Sequence, residues 1–169
     1  VFTLQGGASL QFSCICLNLV GKDKNPSANY LTTGHWSEVA IKEGKKYLNT
    51  NEVANIDKGG DMLNPKSWKI KKNAKFFHYC DNETIQGIEW HDFPYHAVPK
   101  DQPLIADMSA NFASKRIDWS KYGVVCASAS KNIGPAGCAF VIVREDLLNK
   151  ARADTPTICN WTVFANAMT

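Results

Sequence analysis

The strongest constraint on this chain is a series of apolar runs too short for helices and too regular in length for chance. Val1–Leu4, Asn29–Thr33, Phe76–Cys80, Leu104–Met108, Tyr122–Ala127 and Cys138–Arg144 are each four to seven residues long. Most are bounded by Gly, Pro, Asn or Asp and rich in aromatic or β-branched residues, the pattern of strands buried on both faces. Glu52–Ile56 and Gln86–Trp90 are weaker strand candidates. Helical stretches separate the early runs. Ala8 to Val20 follows Gly6-Gly7 and reads as a largely buried helix. His35–Leu48 carries Trp36, Val39, Ala40 and Tyr47 on one side and Glu38, Lys42, Lys45 and Lys46 on the other. Glu38 and Lys42 form an i,i+4 pair in the favourable orientation.

The rest is less patterned. Asp57–Lys75 is polar and lysine-rich and reads as a loop, and Asp92–Pro103 contains three prolines and reads as a connection. Glu145–Ala151 is expected to be a short helix, and the tail after Thr155 has no evident period. Strands alternating with helices predict an α/β fold built on a mostly parallel sheet.

A length of 169 residues suits one domain. The net charge of +3 is small and evenly spread, which argues against nucleic acid or an anionic membrane as partner. No apolar run approaches the ~18 residues of a membrane helix. The six cysteines sit mostly in apolar runs, where a reduced thiol packs as a small hydrophobe, so a reducing, cytoplasmic compartment is expected. Val1 is not a start methionine, so an upstream targeting segment stays open.

Four features carry possible chemistry. Gly6-Gly7-Ala8-Ser9 joins a strand to a helix, where free N–H groups and the helix dipole favour a phosphate; an ordinary tight turn would look the same. Asp107 ends a buried strand, where α/β sheets bind ligands and where a carboxylate needs a cationic partner such as a protonated pyridine nitrogen; a loop-capping acid is the plainer alternative. Lys131 lies between the strands Tyr122–Ala127 and Cys138–Arg144, among glycines. If part-buried with a lowered pKa it would attack an aldehyde; otherwise it is a solvated turn lysine. Trp36, near a helix start, offers a flat ring for stacking or a core contact. Together they supply every handle that pyridoxal phosphate requires.

The order and spacing of these features sit in longer motifs. LQGGASLQF, NYLTTGHWSEVAIKEGKKY, HYCDNETIQGIEW and the stretch from IADMSANF to KNIGPAGCAFVIVREDLL resemble the phosphoserine aminotransferases, over nearly the whole chain. The resemblance implies the three-layer large domain of a fold-type I pyridoxal-phosphate enzyme, a mostly parallel sheet flanked by helices, incomplete at both ends. Residues 1–155 would form that partial domain, and 156–169 the start of a connection. It implies transamination between phosphoserine with its keto acid and glutamate with 2-oxoglutarate, by a homodimer whose full activity needs segments outside this chain. Carried over by motif, Lys131 is the Schiff-base lysine, Asp107 pairs with the pyridinium nitrogen, and Trp36 stacks on the ring. Ala8 and Ser9 bind the phosphate, and Thr84 bonds the phenolic oxygen side. The residue before the lysine is usually a glutamine phosphate ligand in the family; here it is Ser130, whose shorter reach puts that contact in doubt.

Three alternatives are distinguishable. A cysteine desulfurase-like enzyme needs a reactive cysteine on a mobile loop, for which Cys159 is the candidate. A non-catalytic phosphate- or nucleotide-binding module could use GGAS, but no GxxxxGK[ST] or GxGxxG occurs and Lys131 would be unexplained. A metal site at His91 and His96, with His78, fits no strong zinc spacing, and no metal ligand is assigned.

Overall fold

The computed structural model describes residues 1–167. Residues 168 and 169, the end of the expected 156–169 connection, lie outside the described residues. The chain runs β1 (Phe2–Gln5), α1 (Ala8–Leu19), β2 (Ser27–Thr32), α2 (His35–Gly44), β3 (Asn49–Asn55), β4 (Phe77–Cys80), β5 (Asn82–Glu83), β6 (Ile88–Glu89), β7 (Leu104–Asp107), β8 (Val124–Ser128), β9 (Cys138–Val143) and α3 (Trp161–Ala167). Seven strands form one sheet in the order β1-β9-β8-β7-β4-β2-β3. Only β9 runs against its neighbours, so the sheet is mostly parallel. β5 and β6 form a separate antiparallel hairpin.

The two faces of the sheet are covered differently. Strand alternation sends Ile105, Val124 and Cys126 to the face under α1 and α2, where Phe12, Ile15, Ala40 and Ile41 meet them. It sends Phe77, Tyr79, Ala106 and Val125 to the other face, where Met62, Trp68, Trp90 and Phe93 cover them. All three helices pack on the first face; the second is roofed by irregular segments, short 3-10 turns and large rings. Phe93 stacks on Tyr79 with ring centroids 4.0 Å apart. Truncating a fully buried side chain such as Ile105 would cost about 2–5 kcal/mol, because close-packed neighbours cannot fill the void. Among the described residues no helix is long and apolar enough to cross a membrane.

Three details depart from the sequence reading. The stripe of α2 facing the core is Ser37, Ala40, Ile41 and Gly44, rotated from the expected Trp36–Val39–Ala40–Tyr47 side. Small residues are needed there because α2 lies close on Tyr30; a Cβ at Gly44 would collide with that ring. The rotation leaves Trp36 half-buried and free to face elsewhere. The expected helix at Glu145–Ala151 is only a 3-10 turn, Glu145–Leu147, stopped before Asn149, whose φ of 61° is left-handed. The tail does contain a helix, α3. With seven residues it is too short to show a period, and it is anchored by Trp161, whose N–H donates to Asn18 Oδ1 at 3.0 Å.

Candidate active site

In a parallel sheet all carboxyl ends point one way, and the loops that follow them meet. Here those loops are Gly6–Ser9 after β1, Thr33–Trp36 after β2, the hairpin after β4, Asp107–Ala110 after β7 and Ser128–Lys131 after β8. They enclose a cavity of about 300 Å³ lined in part by Gly7, Ala8, Ser9, Trp36, Asp107, Ser130 and Lys131. Six of the seven expected site residues thus line one void. Thr84, the seventh, touches two of them: its Oγ1 accepts from Lys131 Nζ at 2.8 Å and from Trp36 Nε1 at 3.1 Å.

On the α1 side of the cavity, Gly6 takes φ of 98°, open to glycine at little strain, and turns the chain from β1 into α1. Its N–H donates to Gly137 O at 3.0 Å, tying this turn to the glycine loop that carries Lys131. Helix α1 then starts at Ala8 with no capping side chain and no acid in its first turn. The positive helix end therefore faces the cavity without an internal counter-charge. A Cβ at Gly7 would lie 3.3 Å from Ser128 Oγ, so only glycine keeps this wall fully open.

Asp107 is buried at the end of β7. Its Oδ1 accepts from Ser109 N at 2.9 Å and Ser109 Oγ at 2.5 Å, an Asx-type turn that fixes the carboxyl plane. Burial raises its pKa above the usual carboxylate range, while the Ser109 hydrogen bonds and the Lys131 charge pull it back down. A buried acid in this state gains most from a cationic partner. Cys80 stands 3.9 Å from Asp107 Oδ2, its thiol pushed up first by burial and then by that carboxylate.

Lys131 is exposed, not part-buried, because the whole Ser130–Gly137 loop stands away from the sheet. Its amine nevertheless turns inward, 4.7 Å from the Trp36 ring centroid. Ser130 lines the cavity with its Oγ 3.0 Å from Ser128 Oγ.

Several residues here escaped the sequence reading. Asn82, Ser109 and Ser128 line the cavity, and Glu83 lies fully buried behind it. The Asp-Met-Ser turn was a readable signal for Ser109; Glu83 had none, since its partners lie 46 and 47 residues away. His78 is buried between Phe12 and Tyr30 with its pKa lowered by burial to about 3, while His91 and His96 are exposed. Among the described residues no group of three His, Cys, Asp or Glu side chains is placed to hold a metal. Cys159, the thiol a desulfurase reading would need on an accessible loop, is buried.

Residues 1–162 match the family described as Aminotransferase class-V. The chain is 47% identical to a phosphoserine aminotransferase of Chromobacterium violaceum, over 99% of this chain and 46% of the relative. It is 44% identical to that of Drosophila melanogaster, over 95% and 43%. The structure overlays a phosphoserine aminotransferase from Bacillus circulans subsp. alkalophilus with TM-score 0.88 and 34% identity, covering 98% of this chain and 45% of that one. It overlays a pyridoxal-phosphate-bound phosphoserine aminotransferase from Trichomonas vaginalis with TM-score 0.84 and 38% identity, covering 99% and 47%. The chain spans about half the length of the curated relatives it matches.

Proposed function

Because this chain belongs to the class-V aminotransferase family, we propose that it is the pyridoxal-phosphate-binding core of a transaminase acting on phosphoserine and glutamate and their keto acids. The observation that carries the reading is the convergence of Ser9, Trp36, Asp107 and Lys131 on one cavity, although they are scattered over more than a hundred residues. The cavity suits the group. An uncapped helix end would hold its phosphate, an indole its ring, a buried carboxylate its pyridine nitrogen and an amine its aldehyde. When bound, pyridoxal phosphate supplies an electron sink for the charge left at the substrate α-carbon.

The protein groups divide the remaining work. Ala8 and Ser9, with Ser130, hold the phosphate. Asp107 keeps the pyridine nitrogen protonated, and Trp36 fixes the ring plane. Thr84 accepts from both Lys131 Nζ and Trp36 Nε1, so it sets the amine against the ring edge and meets the phenolic oxygen side. Lys131 Nζ would serve as the general base that takes the proton from the substrate α-carbon. In this reading residues 1–155 are one partial domain, 156–169 lead toward the rest of the enzyme, and the enzyme is a cytoplasmic homodimer. The relatives' names support phosphoserine as a substrate, and six free cysteines support a reducing compartment.

Lys131→Ala tests the reading. We expect the intact protein, given pyridoxal phosphate, to develop the ~400–430 nm band of a lysine-linked cofactor and the Ala variant to lack it. Borohydride reduction followed by peptide mass analysis is expected to leave the cofactor on Lys131. Attachment elsewhere, or normal turnover by Lys131→Ala, would refute the assignment.

A further inference from the structure

Helix α2 begins in an unusual way. Its N-cap is Gly34, which has no side chain to offer, yet its first N–H groups are not left to water. His35 N donates to Gln86 Oε1 at 3.0 Å, Trp36 N to Glu83 Oε2 at 2.8 Å and Ser37 N to Glu83 Oε1 at 2.8 Å. Three consecutive donors are thus taken by the β5–β6 hairpin. Glu83 is fully buried, and it spends both oxygens on this helix end. Thr84, the next residue, receives Lys131 Nζ and Trp36 Nε1.

A second set of bonds anchors the hairpin from behind. Buried Asp81 accepts from Lys115 Nζ at 2.7 Å and from Asn111 Nδ2 at 2.6 Å. Asn111 Nδ2 also donates to Glu89 Oε1 at 2.7 Å, and Lys115 Nζ to Trp90 O at 2.7 Å. Both ends of the hairpin are therefore held to the segment that follows β7. The backbone of α2 is fixed to Glu83 while the tip of the Trp36 ring is fixed to Thr84.

Resting on the proposed cofactor site, we infer that Glu83 is a positioning residue: its carboxylate locks the first turn of α2 to the hairpin and so sets the Trp36 ring and the Lys131 amine as one unit. A neutral amide at this position would keep one acceptor but turn an N–H pair toward a second N–H, opening one of the two bonds. Charge-assisted caps are the stronger ones, and a lost cap would let α2 and its indole drift together. A 1 Å drift is enough to degrade a stacking contact and a proton transfer.

The test compares the intact protein with Glu83→Gln and Glu83→Ala, each loaded with pyridoxal phosphate. The readouts are cofactor Kd, the circular dichroism of the bound chromophore and hydrogen exchange of the peptide spanning residues 34–40; far-UV dichroism checks the fold. Both variants are expected to fold, to bind cofactor about tenfold more weakly and to lose most of the chromophore dichroism, with faster exchange confined to the start of α2. Should Glu83→Ala not fold, Glu83→Gln decides alone. A folded Glu83→Gln with unchanged Kd, dichroism and local exchange would overturn the inference. Failure of the wild type to form the Lys131-linked chromophore would instead refute the cofactor reading, so the two failures are separable.

Discussion

The two helix N-termini that border the cavity are built in opposite ways. Both follow a strand and a glycine, and both present their positive ends at the carboxyl edge of the sheet. Helix α1 starts with no cap and no acid in its first turn, and its neighbours Gly7, Ala8 and Ser9 line the void. Helix α2 has Glu38 in its first turn and its leading N–H groups closed by Glu83 and Gln86. An open positive end is a seat for an anion; a closed one is a rigid mount for the side chain it carries. In the proposed site the contrast would separate two tasks that sequence motifs alone run together, holding a phosphate and holding a ring.

Closing the open end should have the largest effect. Ser9→Asp would place a carboxylate in the first turn of α1. A unit charge ~4 Å from a phosphate charge costs about 4 kcal/mol at a near-surface dielectric, so cofactor Kd is expected to rise at least ~100-fold in an absorbance titration. The same carboxylate complements the helix dipole, so the cofactor-free protein is expected to melt ~1–4 °C higher. Loss of affinity together with gain of stability is the signature. An unchanged Kd would mean the phosphate does not sit on α1.

Asp107 comes next, as the carboxylate among the lining residues. Burial raises its folded pKa above the unfolded value. Its stabilising contribution is then complete below the unfolded pKa and lost as pH rises through the folded one. Cofactor-free Asp107→Asn is expected to escape that loss, so its melting temperature should gain on the wild type's as pH rises from below the usual aspartate value of 3.8 to pH 8. Cofactor affinity should fall by roughly 10–100-fold, the worth of a bond to a charged partner. A pH-independent difference in melting would remove Asp107 as the titrating group.

Much of this contrast was legible in the sequence, and the illegible part has a physical reason. The GGAS turn is local: a strand, two glycines and a helix start are adjacent residues, so α1's open end could be read directly. Asp107 and Lys131 end up beside strand ends, and strand ends follow from the apolar runs. What closes α2 is not local. Glu83 reaches N–H groups 46 and 47 residues earlier, and no periodicity encodes such a bond. The rotation of α2's buried stripe was hidden for the same reason, since it depends on how closely the helix approaches Tyr30. The second face of the sheet was missed because coil segments have no repeat; its aromatic content, Trp68, Trp90 and Phe93, compensates for the absence of interlocking helix ridges.

The smallest expected effect concerns how much of the phosphate seat lies outside α1. Ser130, whose reach to the phosphate the sequence puts in doubt, has its Oγ paired with Ser128 Oγ at 3.0 Å beside the Gly7 wall. One proton of such a pair stays uncommitted; with Ser128 as the donor, Ser130 has its own O–H to give, and in the proposed site it would add one modest bond of about 1 kcal/mol. Ser130→Ala is therefore expected to weaken cofactor binding about 3- to 6-fold, and Ser130→Gln, which reaches further into the cavity, to strengthen it by a similar factor. Both are read from the same titration used for Ser9→Asp. If Ser130→Ala leaves Kd unchanged while Ser9→Asp abolishes binding, the open end of α1 holds the phosphate without help from the lysine loop; if both variants leave it unchanged, the division of labour between the two helix ends fails.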